Sequence, residues 1–304
     1  MKRSYTVACL AGDGLGPELM AEASRTLRKV ARMHGFAVDD VHAPFGSEAL
    51  TRSGHPLPAE TRAAVQEADA VLVADMGQPA LAGVTAELDL RARVTQVLSG
   101  RADFVLLSPL DGGSERWTVE RAFALSRSRR GRLVSVDGGP RWSELVAEEA
   151  ARNDSVEVEH ASLAETLRRL AFEPRQLDVL VAAGMLAPAL EELAGAGDDR
   201  LAAVSLLAGS GGSVFAPARP ESHDDAGHGV ADPSSMLVAV SLLLREGLGE
   251  AHAADTLVAA LRDARGRDPL RRTLTETTRD FGDAVTRLLP SSHRNAEFLP
   301  ESAA

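Results

Sequence analysis

Residues 10–18 read LAGDGLGPE, a glycine-rich turn that separates a short apolar run at 5–10 from a stretch with helical periodicity. Leu19, Ala23, Leu27 and Val30 recur at the spacing of one helical face, and Pro17 suits a first helical turn. The segment therefore predicts a strand, a tight turn and a helix. Glycines in such a turn let the backbone approach a ligand closely, and a helix start favours anions. The glycine spacing differs from the G-x-G-x-x-G fingerprint, so an ordinary Rossmann turn is not predicted.

Strand-like and helix-like segments alternate through the rest of the chain. Apolar runs predict strands at 70–74, 104–107, 133–136, 156–159, 178–182 and 202–206. Helical patterns occupy 118–128, 142–151, 163–171, 187–194, 234–245, 253–264 and 274–289. Strands separated by helices indicate an α/β fold with a largely parallel sheet flanked by helices on both faces. The tail at 291–304 is expected to be loose.

The composition excludes several classes of protein. The net charge of −11 argues against a nucleic-acid or anionic-membrane partner, because attraction to phosphate needs a basic face. No apolar run approaches the roughly 20 residues that cross a bilayer, and residues 1–4 lead into a strand rather than a signal peptide. A cytoplasmic protein is therefore expected. Cys9 is the only cysteine, which excludes an internal disulfide and predicts that there is no cysteine-based metal site.

Two residue types that often move protons are scarce. The only lysines are Lys2 and Lys29, and the only tyrosine is Tyr5. A reaction that needs a buried lysine or tyrosine therefore has very few residues to use.

Several short blocks, in order along nearly the whole chain, resemble the β-decarboxylating dehydrogenases, the family of isopropylmalate and isocitrate dehydrogenases. The blocks are LAGDGLGPE at 10–18, FGSEAL at 45–50, GHPLP at 54–58, ADAVL at 68–72, ELDL at 87–90, VSVD at 134–137, VEH at 158–160, DDAGHGVADP at 224–233 and FGDAV at 281–285. The resemblance implies a two-lobed isopropylmalate-dehydrogenase-like fold. One lobe would comprise residues 1–97 plus 208–290, and the second, 98–207, would carry dimer contacts. It also implies a homodimer, or a hetero-oligomer with a family homologue.

The resemblance implies a chemistry as well, because the family oxidises 2-hydroxy acids with NAD or NADP and Mg or Mn and then decarboxylates them. Arginines hold the substrate carboxylates, acidic side chains hold the metal, and a lysine and a tyrosine move protons. Alignment on residues 87–90 places Thr85, Thr95 and Ser108 where three of these arginines belong. Arg91 and Arg93 lie close by but out of phase, and we expect them to be solvated surface arginines.

The other reacting groups of the family are replaced too. The tyrosine position aligns near Glu115, and the lysine of a D-K-A-N pattern falls within the DGGP run at 137–140. One metal-binding aspartate aligns with Ala164, and a pair of aspartates four residues apart aligns with Pro188 and Glu192. A single carboxylate among apolar neighbours is a poor ligand set for a divalent cation. The sequence therefore predicts no metal site and no role for Mg or Mn.

The family's adenine-side loop keeps its outline at 219–233. Gly227 and Gly229 keep the turn, but a His-Gly pair is replaced by Arg219-Pro220 and an adenine-contacting asparagine by Asp232. The acidic residues of this loop disfavour a pyrophosphate unless Arg219 compensates. The candidate cofactor-binding residues are Gly14, Gly16, Arg219, Asp224, Gly227 and Asp232. The sequence leaves open whether NAD binds.

Three functions remain open at this point. The favoured one is a non-catalytic regulatory or partner homologue, because the reacting groups have changed together while the turn glycines and core pattern persist. The second is an enzyme with different chemistry on the same fold, with Asp111, Glu115, Asp137, His160 and Glu192 as candidate catalytic residues. The third is a divergent NAD-dependent 2-hydroxy-acid dehydrogenase, which the scarcity of lysine and tyrosine disfavours.

Overall fold

The computed structural model describes residues 3–75, 80–99, 102–111, 113–195, 201–209, 212–218, 226–266 and 277–290. A ten-stranded sheet forms the centre of the molecule. Its strands are β1 (Ser4–Leu10), β2 (Ala37–His42), β3 (Ala70–Val73), β4 (Leu90–Leu98), β5 (Asp103–Pro109), β6 (Arg132–Val136), β7 (Glu157–Ala161), β8 (Val179–Val181), β9 (Leu201–Ala208) and β10 (Ser213–Pro217).

The strands lie in the order β2-β1-β3-β10-β9-β4-β5-β8-β6-β7. Six of the nine neighbouring pairs are parallel, and the three antiparallel pairs join β10, β9, β4 and β5 in the middle of the sheet. The largely parallel sheet expected from the sequence is therefore confirmed. The predicted lobe boundaries fall in β4 and β9, so both predicted lobes share one sheet, and the division into lobes stays a prediction.

Helices cover both faces of this sheet. They are α1 (Gly16–Met33), α2 (Ser47–Ser53), α3 (Ala59–Glu67), α4 (Leu81–Glu87), α5 (Glu115–Ser128), α6 (Pro140–Ala150), α7 (Leu163–Phe172), α8 (Ala187–Gly195), α9 (Ser234–Leu242), α10 (Ala251–Gly266) and α11 (Thr278–Leu288). The predicted helix at 274–289 is observed as α11, which begins with a capping box between Thr277 and Asp280. The tail at 291–304 lies outside the described residues.

The core divides into four groups of buried apolar side chains, two on each side of the sheet. Around β1, β3 and β10, one face packs against α1, α9, α10 and α11, and the opposite face packs against α3 and α4. Around β5, β6 and β8, one face packs against α5 and α6 and the other against α7 and α8. No helix among the described residues is long and apolar enough to cross a membrane.

Candidate functional site

The glycine-rich turn is shaped by the fold itself. Gly14 has a φ of 58°, in the left-handed region that favours glycine, and Gly16 is buried at the start of α1. A Cβ added to Gly16 would lie 1.9 Å from the carbonyl oxygen of Ala11, so the helix start packs directly on the preceding backbone. The Asp13 carboxylate accepts hydrogen bonds from the backbone N–H and the hydroxyl of Ser47, at 3.1 and 2.7 Å. Folding therefore accounts for these glycines without a bound dinucleotide.

The described part of the loop that the sequence assigns to the adenine side, residues 226–233, lies against the first turn of α1. The Gly227 N–H donates to Glu18 Oε1 at 3.3 Å, and the Thr278 hydroxyl donates to Glu18 Oε2 at 3.3 Å. Asp232 accepts a hydrogen bond from the backbone N–H of Ser234 at 2.9 Å, at the start of α9. Glu18 thus ties this part of the loop to α1, and Asp232 shapes the turn before α9. Arg219 and Asp224, the other two cofactor candidates, lie outside the described residues.

Two of the three positions that align with the family's arginines, Thr95 and Ser108, lie on one face of the sheet together with Arg93. Arg93 and Thr95 are two residues apart on β4, so their side chains share a face. Ser108 on β5 is the cross-strand partner of Arg93. Thr95 and Ser108 are only 2% and 3% exposed, so this face is an interior surface. Helix α8, which carries two of the three aligned metal positions, Pro188 and Glu192, packs over the same face.

An ion pair joins this face to α8. Arg93 Nε lies 2.8 Å from Glu191 Oε2, and the two side chains are 25% and 17% exposed. The expectation that Arg91 and Arg93 are solvated surface residues is therefore wrong for Arg93. It is confirmed for Arg91, whose guanidinium donates to Asp89 at 2.8 Å in a largely exposed pair. The sequence reasoning missed Glu191 because the alignment selected its neighbour, Glu192.

The Arg93–Glu191 pair is close but poorly aligned. Arg93 Nε, Thr95 Oγ1 and Glu191 Oε1 are buried atoms that make no well-formed hydrogen bond. Burial raises the pKa of the Glu191 carboxyl above its ordinary value, although Arg93 acts to lower it. The loss of hydration at Glu191 therefore outweighs the attraction of Arg93.

A raised carboxyl pKa predicts a pH dependence of stability. The folded state holds the Glu191 proton more tightly than the unfolded state, so this group's stabilising contribution is present at low pH. The contribution is lost as the pH rises above about 4.5, the ordinary value. Glu191→Gln removes this loss of stability, because glutamine does not ionise. We therefore expect Glu191→Gln to be more stable relative to the parent at about pH 8 than at about pH 5, when the free energies of unfolding are measured in urea.

The control for this prediction is Glu120→Gln, on an exposed position of α5. It should show no comparable difference between the two pH values. If Glu191→Gln instead loses stability relative to the parent as the pH rises, the charged Glu191–Arg93 pair is net stabilising and the prediction is wrong.

The candidate catalytic residues are distributed across the second half of the sheet. Asp111 accepts a hydrogen bond from the Ser114 hydroxyl at 2.9 Å and shapes the turn before α5. Asp137 accepts one from the Gly139 N–H at 3.0 Å and shapes the turn before α6. His160 is exposed on β7, at the sheet edge, and Glu192 is exposed on α8.

Glu115 lines a surface cavity of about 340 Å³ between the starts of α5 and α6. The other lining residues are Gly113, Arg116, Arg141, Glu144, Leu145 and Glu148. Arg116 pairs with Glu148 at 2.8 Å, and Arg141 lies 3.7 Å from Glu115. All four charges are partly or largely exposed, which is the character of a solvated ion-pair network rather than a reactive site. The structure thus gives Asp111, Asp137 and Glu115 local structural partners.

Tyr5, the one tyrosine, and Lys29, the one described lysine, lie on β1 and on α1, near the β2 end of the sheet. The Tyr5 hydroxyl donates to Glu250 at 2.9 Å. Loss of hydration raises the pKa of Tyr5, and this hydrogen bond raises it further. Lys29 on α1 donates its ammonium group to the backbone carbonyl of Thr286 on α11. Both residues therefore hold helices and strands together far along the sheet from Arg93 and Glu191.

A second polar group lies at the opposite end of the sheet from the candidate catalytic residues. Within the described part of the chain, one set of side chains has the donor atoms and spacing of a metal-ligand cluster, namely Cys9, Asp40 and His42. The sequence analysis missed it because residues 37–42 were not predicted as a strand. Their position on β2 places Asp40 and His42 on one face, beside Cys9 on β1.

Comparison with known proteins agrees with this architecture. The family model described as isocitrate/isopropylmalate dehydrogenase matches residues 6–104. The 3-isopropylmalate dehydrogenase of Synechococcus sp. strain CC9605 is 30% identical, with 84% of this chain and 90% of that protein aligned. The 3-isopropylmalate dehydrogenase of Streptococcus mutans is 28% identical, with 91% of this chain and 94% of that protein aligned.

Solved structures show the same fold. A β-decarboxylating dehydrogenase from Thermococcus kodakarensis superposes with a TM-score of 0.80 at 20% identity, covering 94% of this chain and 96% of that one. An isocitrate dehydrogenase from Methylococcus capsulatus also superposes with a TM-score of 0.80, at 18% identity, covering 94% of this chain and 99% of that one. The sequence blocks, the sheet order and these similarities lead to one conclusion: the chain belongs to the isocitrate/isopropylmalate dehydrogenase family.

Proposed function

We propose that this chain is a non-catalytic member of the family, a regulatory or partner homologue that does not oxidise and decarboxylate 2-hydroxy acids. The observation that carries the proposal is the ion pair between Arg93 and Glu191. It lies on the face where the resemblance places the substrate-binding arginines, beneath the helix where it places metal-binding carboxylates. In this chain a guanidinium, that of Arg93, and a carboxylate, that of Glu191, pair with each other at this place.

The Arg93–Glu191 pair leaves neither a free guanidinium for a substrate carboxylate nor a free carboxylate for a metal ion, and oxidative decarboxylation needs both. A dicarboxylate substrate is held by guanidinium groups whose charge faces the ligand, and a divalent cation needs several oxygen ligands. Arg93 and Glu191 cancel each other's charge across 2.8 Å, and the neighbouring aligned positions are the uncharged Thr95 and Ser108. Releasing either charged side chain for a ligand would leave the other partly buried without its partner, which is costly.

The proton-transfer groups support the same proposal. The family's reaction needs an acid and a base near the substrate, and the aligned stretches contain neither lysine nor tyrosine. Tyr5 and Lys29 are engaged elsewhere in the fold. Loss of a single acid–base group typically costs about 10²–10⁴ in rate, and here two such groups are replaced. We also propose that the two-lobed division and an association with a second copy or a homologue persist from the family architecture.

A thermal-shift experiment tests the proposal. The protein is melted with Mg²⁺, NAD or NADP, and 3-isopropylmalate or isocitrate, singly and together. We expect the melting temperature to stay within error of the value without ligand. A ligand present at 100 times its Kd for the folded state would add about 2.7 kcal/mol of stability, equivalent to a rise of about 4 °C in melting temperature for a chain of 304 residues. A rise of that kind with metal, dinucleotide and diacid together would contradict the proposal.

A further inference from the structure

Three side chains with different metal-binding atoms meet between β1, β2 and α1. Cys9 and His42 are direct cross-strand partners in the parallel β1–β2 pair, and Asp40 lies two residues before His42 on the same face. The thiol sulfur, an imidazole nitrogen and a carboxylate oxygen all lie within 4.8 Å of one another. Helix α1 closes the third side with Ser24, whose hydroxyl lies 4.0 Å from Cys9 Sγ and 3.3 Å from His42 Nε2.

The donor atoms converge as ligands of a tetrahedral ion do. With metal–nitrogen and metal–oxygen distances near 2.0–2.1 Å and metal–sulfur near 2.3 Å, neighbouring ligand atoms are about 3.3–3.6 Å apart. The distance from His42 Nε2 to Asp40 Oδ2 is 3.2 Å, which already matches. Cys9 Sγ lies within 4.8 Å of the other two atoms and must come closer by up to about 1.2 Å to complete three positions. The fourth can be filled by water or by Ser24, because the His42 side chain is 51% exposed and opens the group to solvent.

Hydrogen bonding alone explains this arrangement poorly. Ser24 Oγ and Asp40 Oδ2 both approach the same ring nitrogen of His42, at 3.3 and 3.2 Å. One nitrogen has one lone pair or one hydrogen, so it cannot make both bonds well. The contact also differs from a Ser–His–Asp triad, in which the serine and the aspartate use different ring nitrogens. The Asp40 carboxylate is only 7% exposed, yet its cationic partner Arg28 is 3.5 Å away and half exposed.

We propose that Cys9, Asp40 and His42 bind a divalent transition-metal ion of the zinc type. The combination of sulfur, imidazole and carboxylate favours Zn²⁺ or Co²⁺ over Mg²⁺, which prefers oxygen ligands alone. The expectation that a single cysteine excludes a cysteine-based metal site overlooked a mixed ligand set of this kind.

Binding of the ion involves two local changes. Burial raises the pKa of the Cys9 thiol to about 12, so coordination must displace the thiol proton, which leaves to solvent. The charge of the ion also replaces that of Arg28 beside Asp40, and Arg28 can move outward because its side chain is half exposed. Binding therefore ties the edge strand β2 to β1 and α1. The site is independent of the proposed function, because it lies in the end strands β1 and β2, whereas Arg93 lies on β4 in the middle of the sheet.

Cobalt spectroscopy tests the proposal. The untagged protein is titrated with Co²⁺ under reducing conditions, and thiolate-to-metal charge-transfer absorption is recorded in the near ultraviolet. We expect one Co²⁺ per chain, with a thiolate band that Zn²⁺ abolishes at one equivalent and excess Mg²⁺ leaves unchanged. Because Cys9 is the only cysteine, the band reports on this residue alone.

Variants assign the other two ligands. Cys9→Ser should lose the band, and His42→Gln and Asp40→Asn should each weaken Co²⁺ binding at least tenfold, whereas His160→Gln, on the exposed edge strand β7, should bind as the parent does. The fold of each variant is checked by far-ultraviolet circular dichroism, and the exposed His42 gives a variant with little risk to folding. Absence of the thiolate band in the folded parent, or unchanged binding in His42→Gln, would overturn the proposal.

Discussion

Asp178→Ala is expected to lower the free energy of unfolding by about 3–5 kcal/mol, because it removes one partner of a buried ion pair. Asp178 stands immediately before β8, and its side chain is fully buried. It accepts hydrogen bonds from Arg129 Nε and from the backbone N–H of Arg130, both at 2.9 Å. Arg129 also donates to Asp103 at 2.8 Å, at the start of β5. Removal of the carboxylate leaves the Arg129 guanidinium, which is only 20% exposed, and the backbone N–H of Arg130 without this partner.

The measurement is urea unfolding at neutral pH, with Glu157→Ala as the matched control. Glu157 also pairs with an arginine, Arg132 at 3.5 Å, but both side chains of that pair are mostly exposed. Exposed pairs contribute little, so the control should unfold at the midpoint of the parent. Equal midpoints for Asp178→Ala and Glu157→Ala would mean that the Asp178 pair does not hold β8 and the following α8 in place.

Gly16→Ala is expected to be the second severe substitution, with a loss of about 3 kcal/mol or more. Its Cβ would lie 1.9 Å from the Ala11 carbonyl oxygen and 2.9 Å from the carbonyl carbon. Backbone atoms on both sides of the turn would have to move, and overpacking against fixed atoms typically costs about 1–3 kcal/mol, occasionally more. Thermal or urea unfolding gives the magnitude. This prediction separates a structural glycine from one kept for a cofactor.

Gly282→Ala in α11 is the comparison. Its Cβ would lie 2.0 Å from Glu22 Oε2, an overlap as severe as that at Gly16. The obstructing atoms are the ends of two side chains, Glu22 and its ion-pair partner Arg25, rather than backbone, so they can rotate away. Alanine is also favoured over glycine in a helix by about 1 kcal/mol. Gly282→Ala should therefore destabilise much less than Gly16→Ala. If Gly16→Ala is as stable as the parent, the folding explanation for this glycine fails.

The fold could be predicted from local patterns because its main signals are local. The strand–turn–helix unit at residues 10–18 combines apolar periodicity, positive-φ glycines and a proline at the helix start, and the structure reproduces each of them. The strands β2, β4 and β10 were not predicted. β2 is a half-buried edge strand with two aspartates, and β4 carries arginines in alternation, so neither shows the continuous apolar run used to find the others.

The interior of the site depends on contacts that the sequence does not reveal. The alignment pointed to Glu192, but successive residues on a helix are about 100° apart, and it is Glu191 that faces β4. Whether Arg93 was solvated or paired depended on the position of α8, which is set by packing far along the chain. The cluster of Cys9, Asp40 and His42 likewise forms only because β1 pairs with β2, and this pairing was not predicted from the sequence.

A single-turnover assay tests the central claim most directly. Protein in excess over NAD, and separately over NADP, is mixed with Mg²⁺ and 3-isopropylmalate or isocitrate, and reduced nicotinamide is followed by fluorescence. Mg²⁺ is used because the ligand set of Cys9, Asp40 and His42 prefers transition-metal ions, so the proposed metal site does not influence the result. The pairing of Arg93 with Glu191 predicts that no reduced dinucleotide forms. Formation of one equivalent of reduced dinucleotide, dependent on both Mg²⁺ and the acid, would contradict it.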